Sequence, residues 1–333
     1  MPANRGCIWV ESETGANLRG RCACSQVEEE GEHEEATKVR NIDKITLGEY
    51  EIDTWYFSPY PKEIILDYTK LFICEYTLKP IASPLAIKRH QAKNTRRHPP
   101  GTEIYRYDAV GRDGTARQLS FWEIDGSLEK VYCQNLCLLS KLFLDHKTCF
   151  FDVDPFYFYV LTEVDQQGHH IAAYFSKEKQ TPYDYNLACI MTLPPYQRKG
   201  YGKLMISLSY ELSNREGKKG SPEKPLSDLG QIGYKSFWSQ ALIEIMCDMH
   251  RQTTVEELSD LTGFQTTDVV WTLQNLQLVR YYKGEYQLNV TQKQLDDLAA
   301  KYIRKSDSEL KFIPEYLQWE PRDHGAEGRR GSR

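Results

Sequence analysis

The chain has 333 residues, of which 40% are hydrophobic and 12% aromatic, and its formal net charge is −5. This length allows one large domain or two modest ones with a sizeable core, and the slight acidity gives no overall electrostatic case for binding nucleic acid or an anionic membrane. Because no stretch approaches about 18 consecutive apolar residues and the N-terminus lacks an apolar signal core, we expect a soluble intracellular protein without a membrane partner.

The first part of the chain differs in composition from the rest. Residues 1–37 contain the acidic run Glu28–Glu35 and few apolar residues, which predicts a disordered tail. Order is expected to begin at Lys38, and Ile45–Phe57 mixes β-branched and aromatic residues as strands and turns do. The nine cysteines are an odd number in a chain without an export signal, so we expect mostly free thiols.

The region that begins at Glu103 predicts strands with one helix, and its last strand begins at His170. Gln134–His146 has apolar residues at helical spacing, whereas the other segments are dense in aromatic and β-branched residues. Strands are expected at Leu119–Ile124, Cys149–Val153, Phe156–Val164 and His170–Phe175. Together with the strand described next, these elements indicate an α+β protein with a central mixed sheet.

The most informative stretch begins with the apolar run Leu187–Leu193, which is closed by two prolines and has the length of a buried strand. A glycine-containing turn, Gln197–Lys203, leads from it into a segment with leucines at helical spacing. Strand, glycine turn and helix together build an anion site, because residues without Cβ let a phosphate approach the unpaired N–H groups of the first helical turn.

Two common anion sites are excluded by the spacing of this turn. The phosphate loop of nucleotide triphosphatases needs a Gly-Lys-Ser/Thr ending, and the dinucleotide fingerprint needs a third glycine where this chain has Met205. The remaining pattern, Gln-Arg-x-Gly-x-Gly after a strand, resembles the turn that grips the pyrophosphate in acetyl-CoA-binding N-acetyltransferases. Taken alone, a glycine pair is equally compatible with an ordinary structural turn.

The segment after Trp238 is mostly helical by pattern. Thr254 opens a helix with a capping box, Gly263 ends it, and Thr266 or Thr267 begins another. Two short strands around Gly284 then complete a unit that resembles a small winged helix. Residues 251–290 carry three basic and five acidic side chains, so we expect a structural flank rather than a DNA reader.

The sequence SPEKPLSDLG at residues 221–230 closely resembles the signature of the MYST histone acetyltransferases. The resemblance extends from about Lys38 to Pro321 through YEIDTWYFSPYP, RRHPPGTEIYR, NLCLLSKLFLDHKT, FDVDPF and AYFSKEK, and it is nearest to the MOF (males-absent-on-the-first) type through VYCQNLCLLSKLFLDHKT and VLTEVDQQGHH. It implies an N-acetyltransferase-like core between a zinc-finger-like and a winged-helix-like subdomain. The expected divisions are a tail at 1–37, the finger region at 38–102, the core at 103–238, the flank at 239–320 and a loose tail at 321–333.

The resemblance also implies a reaction and the residues that carry it. A lysine ε-amine has a pKa of about 10.4, so its proton must be removed before it can attack a thioester. Glu223 matches the family's general base, and Cys189 matches its active-site cysteine. An acetyl-cysteine intermediate and direct attack in a ternary complex both remain open, and the sufficiency of a glutamate base favours the second. Lys147 matches the lysine that family members autoacetylate.

The cosubstrate implied by the family is acetyl-CoA. Its thioester and pantetheine would contact the backbone of Ile190, Met191 and Thr192. Its pyrophosphate would contact the glycine turn, where Arg198 and Lys203 supply positive charge. Ser227 and Ser236 would add polar contacts. These positions are Ile190, Met191, Thr192, Gln197, Arg198, Lys199, Gly200, Tyr201, Gly202, Lys203, Ser227 and Ser236.

The family's Cys-Cys-His-Cys zinc finger is altered here. The spacing is kept, but the four positions are Cys74, Thr77, His90 and Asn94. Since a neutral hydroxyl and an amide oxygen are weak zinc ligands, we expect no zinc and a finger-shaped unit held by packing. The surrounding basic residues are either a solvated face or a weak contact with nucleosomal DNA; they are Lys88, Arg89, Lys93, Arg96 and Arg97.

The sequence therefore predicts a nuclear histone acetyltransferase that acts chiefly on the histone H4 tail, within a chromatin-modifying complex. Two other readings belong to different classes. A catalytically silent scaffold would keep the fold without Cys189 and Glu223 serving chemistry, and a DNA-binding regulator would show salt-dependent DNA binding.

Overall fold

The computed structural model describes residues 40–65, 70–110, 114–147, 149–249, 253–282, 285–288, 290–303 and 310–322. The predicted tail at 1–37 lies outside the described residues, and so does the predicted tail at 321–333 apart from Pro321 and Arg322. The first elements form a small sheet and a helix: Lys44–Leu47 (β1), Tyr50–Asp53 (β2), Lys70–Ile73 (β3), Pro80–Ile81 (β4) and Pro84–Lys93 (α1). The predicted segment Ile45–Phe57 contains strands and a turn as expected, because Gly48, at φ +57°, turns the chain back between β1 and β2.

The central sheet has five strands, and the helix Lys130–Lys141 (α2) falls between its second and third. In chain order the strands are Thr102–Val110 (β5), Ala116–Asp125 (β6), Phe156–Asp165 (β7), Gly168–Glu178 (β8) and, after the short strand Tyr185–Leu187 (β9), Cys189–Thr192 (β10). Their order across the sheet is β10-β8-β7-β6-β5. Helices and sheet together confirm the α+β class.

The central sheet is antiparallel rather than mixed as expected. Hairpins join β5 to β6 and β7 to β8, and a hairpin can only pair its strands in opposite directions. Parallel pairing occurs instead in two small sheets, between β1 and β3 and between β9 and Ser221–Pro222 (β11).

The predicted strand Leu187–Leu193 is interrupted at Ala188. Leu187 pairs in parallel with Pro222 of β11, whereas Cys189 pairs antiparallel with Ser176 of β8. The chain therefore changes partners at this point, and β10 becomes one edge of the central sheet. Because of this switch, the residue before Ala188 pairs with β11 and the residue after it pairs with β8.

Two other predicted segments have different bounds. The helix expected at Gln134–His146 is α2, which ends earlier, at Lys141. It ends there because the carbonyl of the next residue, Leu142, accepts the N–H groups of Trp55 and Tyr56 at 2.9 and 3.0 Å. Cys149–Val153 contains no strand, since its turn is closed by the Val153 N–H donating to the Phe151 carbonyl at 3.2 Å. The six cysteines in the described ranges are free thiols, as expected.

The remaining helices follow β10. They are Tyr201–Arg215 (α3), Asp228–Met249 (α4), Val255–Thr262 (α5), Thr266–Asn275 (α6) and Gln292–Tyr302 (α7), with the hairpin Val279–Tyr282 (β12) and Glu285–Leu288 (β13) before α7. The predicted caps are confirmed: the Thr254 hydroxyl accepts the Glu257 N–H at 3.1 Å, and Gly263 ends α5 at φ +71°. The turn around Gly284 lies outside the described residues. None of the helices in the described part could cross a membrane.

Residues 310–322, which we call the strap, run across β5 and α3. Phe312 stacks on Tyr105 of β5 with ring centroids 5.0 Å apart, and Leu317 forms a bridge with the same strand. Arg215, at the end of α3, donates to the strap carbonyls of Pro314, Leu317 and Trp319 at 2.9 to 3.0 Å. The buried carboxylate of Glu123 accepts the Trp319 indole N–H at 2.6 Å and pairs with Arg322.

An ion triad attaches the small first sheet to the central one. His170 on β8 contacts Glu75 through Nδ1 at 2.8 Å and Asp165 through Nε2 at 2.9 Å. The hydrogen bond to Glu75 raises the pKa of His170 to about 9; burial opposes this rise and Asp165 adds to it. His170 is therefore a cation in neutral solution. Its contact with Glu75 joins segments far apart in sequence, and its contact with Asp165 lies within the β7–β8 hairpin.

This triad predicts a pH-dependent contribution to stability. Because the pKa of His170 is raised from 6.5 to about 9, its stabilisation is fully present below pH 6.5 and is lost as the pH rises through about 9. His170→Gln should lower the free energy of unfolding by about 1–3 kcal/mol below pH 6.5 and by much less near pH ~10. Urea unfolding of both proteins at the two pH values measures this, and a wild-type advantage independent of pH would contradict it.

Candidate active site

The glycine turn Gln197–Lys203 has the geometry of an anion site. Arg198 and Gly200 both adopt left-handed backbone, at φ +63° and +95°. Such conformations are rarely adopted by side-chain-bearing residues, and their presence in a loop points to a local backbone requirement. The turn delivers the chain into α3, and within the described residues no side chain caps the N-terminus of that helix. Its first N–H groups are thus available to an anion.

Gly202 adds a second observation that fits a bound pyrophosphate. Apart from its chain neighbours and the backbone of its own helix, no atom of the described chain lies within 4 Å of the place that a Cβ would take here, although the residue lies in the first turn of a half-buried helix. The open space lies beside the free N–H groups of α3. The residues present therefore fit the acetyl-CoA that the sequence implies.

Several side chains of the turn are engaged by the protein itself. The Glu163 carboxylate on β7 accepts Lys199 Nζ at 3.2 Å and the hydroxyl of the buried Tyr201. Lys203 Nζ donates to Gln240 Oε1 at 2.8 Å. These contacts fix the turn on both sides of Gly200 and occupy its side-chain donors. An anion bound here would therefore contact mainly backbone N–H groups and the exposed Arg198.

The other predicted cofactor positions lie on β10 and α4. Met191 is buried, Ile190 and Thr192 are half-buried, and the Thr192 carbonyl accepts Gln197 Nε2 at 3.1 Å. Ser227 caps α4 by accepting the Gly230 N–H at 3.1 Å, and Ser236 is exposed two turns later. β10 is an edge strand, so one side of its backbone faces no strand in the part of the chain that the structure describes.

Cys189, at the start of β10, lies beside a buried lysine. Lys147 Nζ is 3.7 Å from Cys189 Sγ, and the lysine is only 8% exposed. Burial lowers the pKa of Lys147, but the Tyr174 phenol and the thiols of Cys189, Cys137 and Cys149 outweigh it and raise the pKa above the usual range. The ammonium thus stays charged next to the thiol.

Glu223 is brought to the same place by the pairing of β9 with β11. Its N–H donates to the carbonyl of Leu187 at 2.8 Å, and Leu187 is two residues before Cys189. Partial burial raises the pKa of the Glu223 carboxyl, the charge of Glu178 adds to the rise, and Lys147 opposes it. Lys147 therefore interacts with both the thiol and the carboxylate.

Four polar residues near this centre were not assigned from the sequence. Tyr174, whose hydroxyl donates to Ser140 Oγ at 2.8 Å, interacts with Lys147, and Ser176 Oγ accepts the N–H of Cys189 at 3.2 Å. The charge of Glu178 acts on Glu223. The sequence signal for Tyr174, Ser176 and Glu178 is their alternate placement in the AYFSKEK motif, which puts them on one face of β8, whereas Ser140 lies on α2 in the NLCLLSK segment.

The four zinc-spaced positions lie in the first sheet region and do not form a zinc site. Thr77 Oγ1 is hydrogen bonded to His90 Nε2 at 3.0 Å, and Asn94 bonds to the main chain of Arg96. Cys74 is fully buried in a small apolar cluster with Tyr76 and Ile87. Within the described ranges no group of three or more metal-binding side chains occurs. A single thiol, an imidazole engaged by a hydroxyl, and an amide do not fit zinc.

We expect chelators to leave this region unchanged. Treatment with EDTA should not shift the melting temperature, and metal analysis of the purified protein should find far less than one zinc per chain. The matched variant Thr77→Cys/Asn94→Cys, which restores the four-ligand pattern, should bind zinc and become sensitive to EDTA. Stoichiometric zinc in the unaltered protein would overturn the expectation.

The antiparallel sheet, the glycine turn and the uncapped helix after β10 define an α+β protein of the N-acetyltransferase type. The MOZ/SAS family model matches residues 98–317, and the model of the MYST family zinc finger domain matches residues 39–93. The chain belongs to the MOZ/SAS family, which confirms the MYST resemblance; the MOF type stays a prediction.

Three relatives give the extent of the similarity. The chain is 48% identical over 288 residues to "Histone acetyltransferase ESA1" of Saccharomyces cerevisiae, covering 86% of this chain and 62% of that protein. It is 47% identical over 302 residues to "Histone acetyltransferase Tip60 homolog" of Caenorhabditis elegans, covering 89% and 63%. It is 54% identical over 265 residues to "Putative MYST-like histone acetyltransferase 1" of Oryza sativa subsp. japonica, covering 80% and 57%. The chain thus spans less than two thirds of these relatives.

Proposed function

We propose that the chain is a protein lysine acetyltransferase that uses acetyl-CoA and acts chiefly on the histone H4 tail. The observation that carries the proposal is the convergence of Glu223, Cys189 and Lys147 next to the glycine turn, through the β9–β11 pairing and the 3.7 Å contact of Lys147 with Cys189. The relatives' name, histone acetyltransferase, supports the substrate class.

Each residue has a distinct task in this proposal. Acetyl-CoA would supply the activated acetyl group as a thioester. Glu223 accepts the proton of the incoming lysine ammonium, and its raised pKa brings it closer to the pH at which a base works well. The lysine amine attacks the thioester carbonyl directly, so that the amide C–N bond forms, the C–S bond breaks and CoA leaves as its thiol. Cys189 shapes the pocket. The turn Gln197–Lys203, with Ser227, Ser236 and β10, holds the cosubstrate.

Lys147 is the proposed site of autoacetylation. Since the side chain is buried and its Nζ lies beside Cys189 Sγ, a second copy of the enzyme could not reach it. The acetyl group would come from the active site of the same chain.

The proposed setting is the nucleus, within a chromatin-modifying complex that presents nucleosomes. A weak contact with nucleosomal DNA would come from the exposed cations of α1 and the next residues, namely Lys88, Arg89, Lys93 and Arg96. Arg97 is less available, because it donates to the Asn94 carbonyl and lies over the Tyr76 ring.

The test is transfer of labelled acetyl from acetyl-CoA to an H4 tail peptide and to nucleosomes. We expect transfer by the wild type and retained transfer by Cys189→Ala, since no covalent step on the thiol is needed. Loss of transfer in Cys189→Ala with normal cofactor binding would favour the acetyl-cysteine route. If the wild type bound acetyl-CoA but transferred nothing, even to nucleosomes with partner subunits, the silent scaffold would replace this proposal.

A further inference from the structure

The segment that carries Glu223 is attached to the C-terminal flank before and after the carboxylate. Before it, the Gly220 N–H donates to the Gly263 carbonyl at 2.8 Å, and the Gln265 N–H donates to the Gly220 carbonyl at 3.2 Å. After it, Lys224 Nζ donates to Asp268 Oδ1 of α6 at 2.7 Å. Glu223 thus lies between two points of attachment to the same flank.

Asp268 is an unusual partner for a surface lysine. It is 1% exposed, whereas about half of the Lys224 side chain is exposed. Its second carboxylate oxygen, Oδ2, has no hydrogen-bond partner in the described part of the chain. A buried carboxylate is costly unless it is paired, so the position of the Lys224 ammonium is dictated by where Asp268 is fixed.

The backbone and neighbours of Asp268 fix it firmly. Its N–H donates to the Gln265 carbonyl at 2.9 Å, and its carbonyl accepts the Thr272 hydroxyl at 2.7 Å. Burial raises the pKa of the Tyr210 and Tyr234 phenols, and the charge of Asp268 adds to the rise. Neutral phenols cannot offset the charge of Asp268, and within the described residues the cation paired with it is Lys224.

We propose that Lys224 and Asp268 are positioning residues for the general base, so that the C-terminal flank sets the orientation of Glu223. The inference rests on the proposed function, in which Glu223 removes the proton of the substrate lysine. Since Lys224 shares a peptide unit with Glu223, anchoring its ammonium restricts rotation of the backbone that carries the carboxylate. A third restraint is the hydrogen bond from the Glu223 N–H to the Leu187 carbonyl. The backbone of Glu223 is thus fixed, and its side chain is the part that can still move.

The test separates positioning from folding. Lys224→Met alone would leave an unpaired buried carboxylate, so the variant to measure is Lys224→Met/Asp268→Asn, which removes both charges. Its kcat for acetyl transfer should fall about tenfold or more, because small misplacements of a catalytic group are costly, whereas KM for acetyl-CoA and the Kd of CoA should stay within about twofold. Lys224→Arg, which keeps the ion pair, should retain most of kcat.

A matched control is present on the same flank. Lys219 Nζ pairs with Asp260 Oδ1 at 2.6 Å, but Asp260 is exposed and Lys219 is not adjacent to Glu223. Lys219→Met/Asp260→Asn should therefore keep wild-type kcat. If the first double variant fails to fold, Lys224→Gln, whose amide can still donate to Asp268, provides the second measurement, with a smaller fall in kcat expected.

The outcomes separate the inference from the proposed function. Wild-type kcat in the folded double variant, together with an inactive Glu223→Gln, would overturn the positioning role and leave the base intact. Full activity in Glu223→Gln would overturn the base and the positioning role with it. A Kd for CoA that rises in step with the fall in kcat would mean that the whole site is disturbed, which also contradicts positioning.

Discussion

Replacing Glu223 with glutamine should reduce acetyl transfer at neutral pH by about a thousandfold, within the usual range for loss of a general base. The amide keeps the shape of the side chain and cannot accept the proton of the substrate ammonium. Part of the activity should return above about pH 10, where free lysine amine forms without a base. Initial rates of label transfer to an H4 peptide across this pH range measure the effect.

The control for this prediction is cofactor binding. Glu223→Gln should bind CoA as the wild type does, because the carboxylate belongs to the residue that follows β11 and the glycine turn is a separate segment. In the wild type, activity should rise with pH as Glu223 loses its proton, and that rise should be centred above the ordinary pKa of glutamate because burial and Glu178 raise it. A Glu223→Gln enzyme with a wild-type rate at neutral pH would refute the assignment.

Filling the open space at Gly202 should weaken cofactor binding while the fold persists. The built Cβ meets nothing in the described chain, so a side chain is accommodated by the protein and collides only with a ligand lying against the first turn of α3. Gly202→Val should raise the Kd for CoA by at least about tenfold, equivalent to about 1.4 kcal/mol, and Gly202→Ala should raise it less. Calorimetric titration gives both values.

The melting temperature of each Gly202 variant is the control, because a loss of binding that accompanied unfolding would say nothing about the site. Unchanged CoA affinity in both variants would place the pyrophosphate elsewhere. An equal loss in alanine and valine would contradict the graded filling of the space.

Local patterns predicted much of this fold. Three strands of the central sheet, β6, β7 and β8, follow from runs of aromatic and β-branched residues. Thr254 and Gly263 bound their helix because a cap depends only on neighbouring residues. The same holds for the glycine turn, where Gly200 and Gly202 lie between a strand and a helix. The residue types at Thr77 and Asn94 are also local information, since ligand chemistry belongs to the residue type, and the absence of zinc stays a prediction.

Features that depend on distant partners were not predictable. The change of partners at Ala188 requires knowing that residues 221–222 pair with β9, and no local pattern of Leu187–Leu193 carries that information. The antiparallel direction of β10 depends likewise on its pairing with β8. Asp268 reads in sequence as one acidic residue of a helix, and only the fold brings it, buried, to Lys224.

The strap covers one edge of the central sheet, and this edge is exposed while the chain is being synthesised. β5 is the outer strand of the central sheet, and its exposed edge is met by residues that follow it by about two hundred positions, as the Ile313 N–H bonded to the Tyr105 hydroxyl illustrates. During synthesis the sheet therefore emerges with a free edge long before its cover exists, and free edges favour pairing between chains. A version that stops before residue 310 would keep that edge permanently and should accumulate as aggregates.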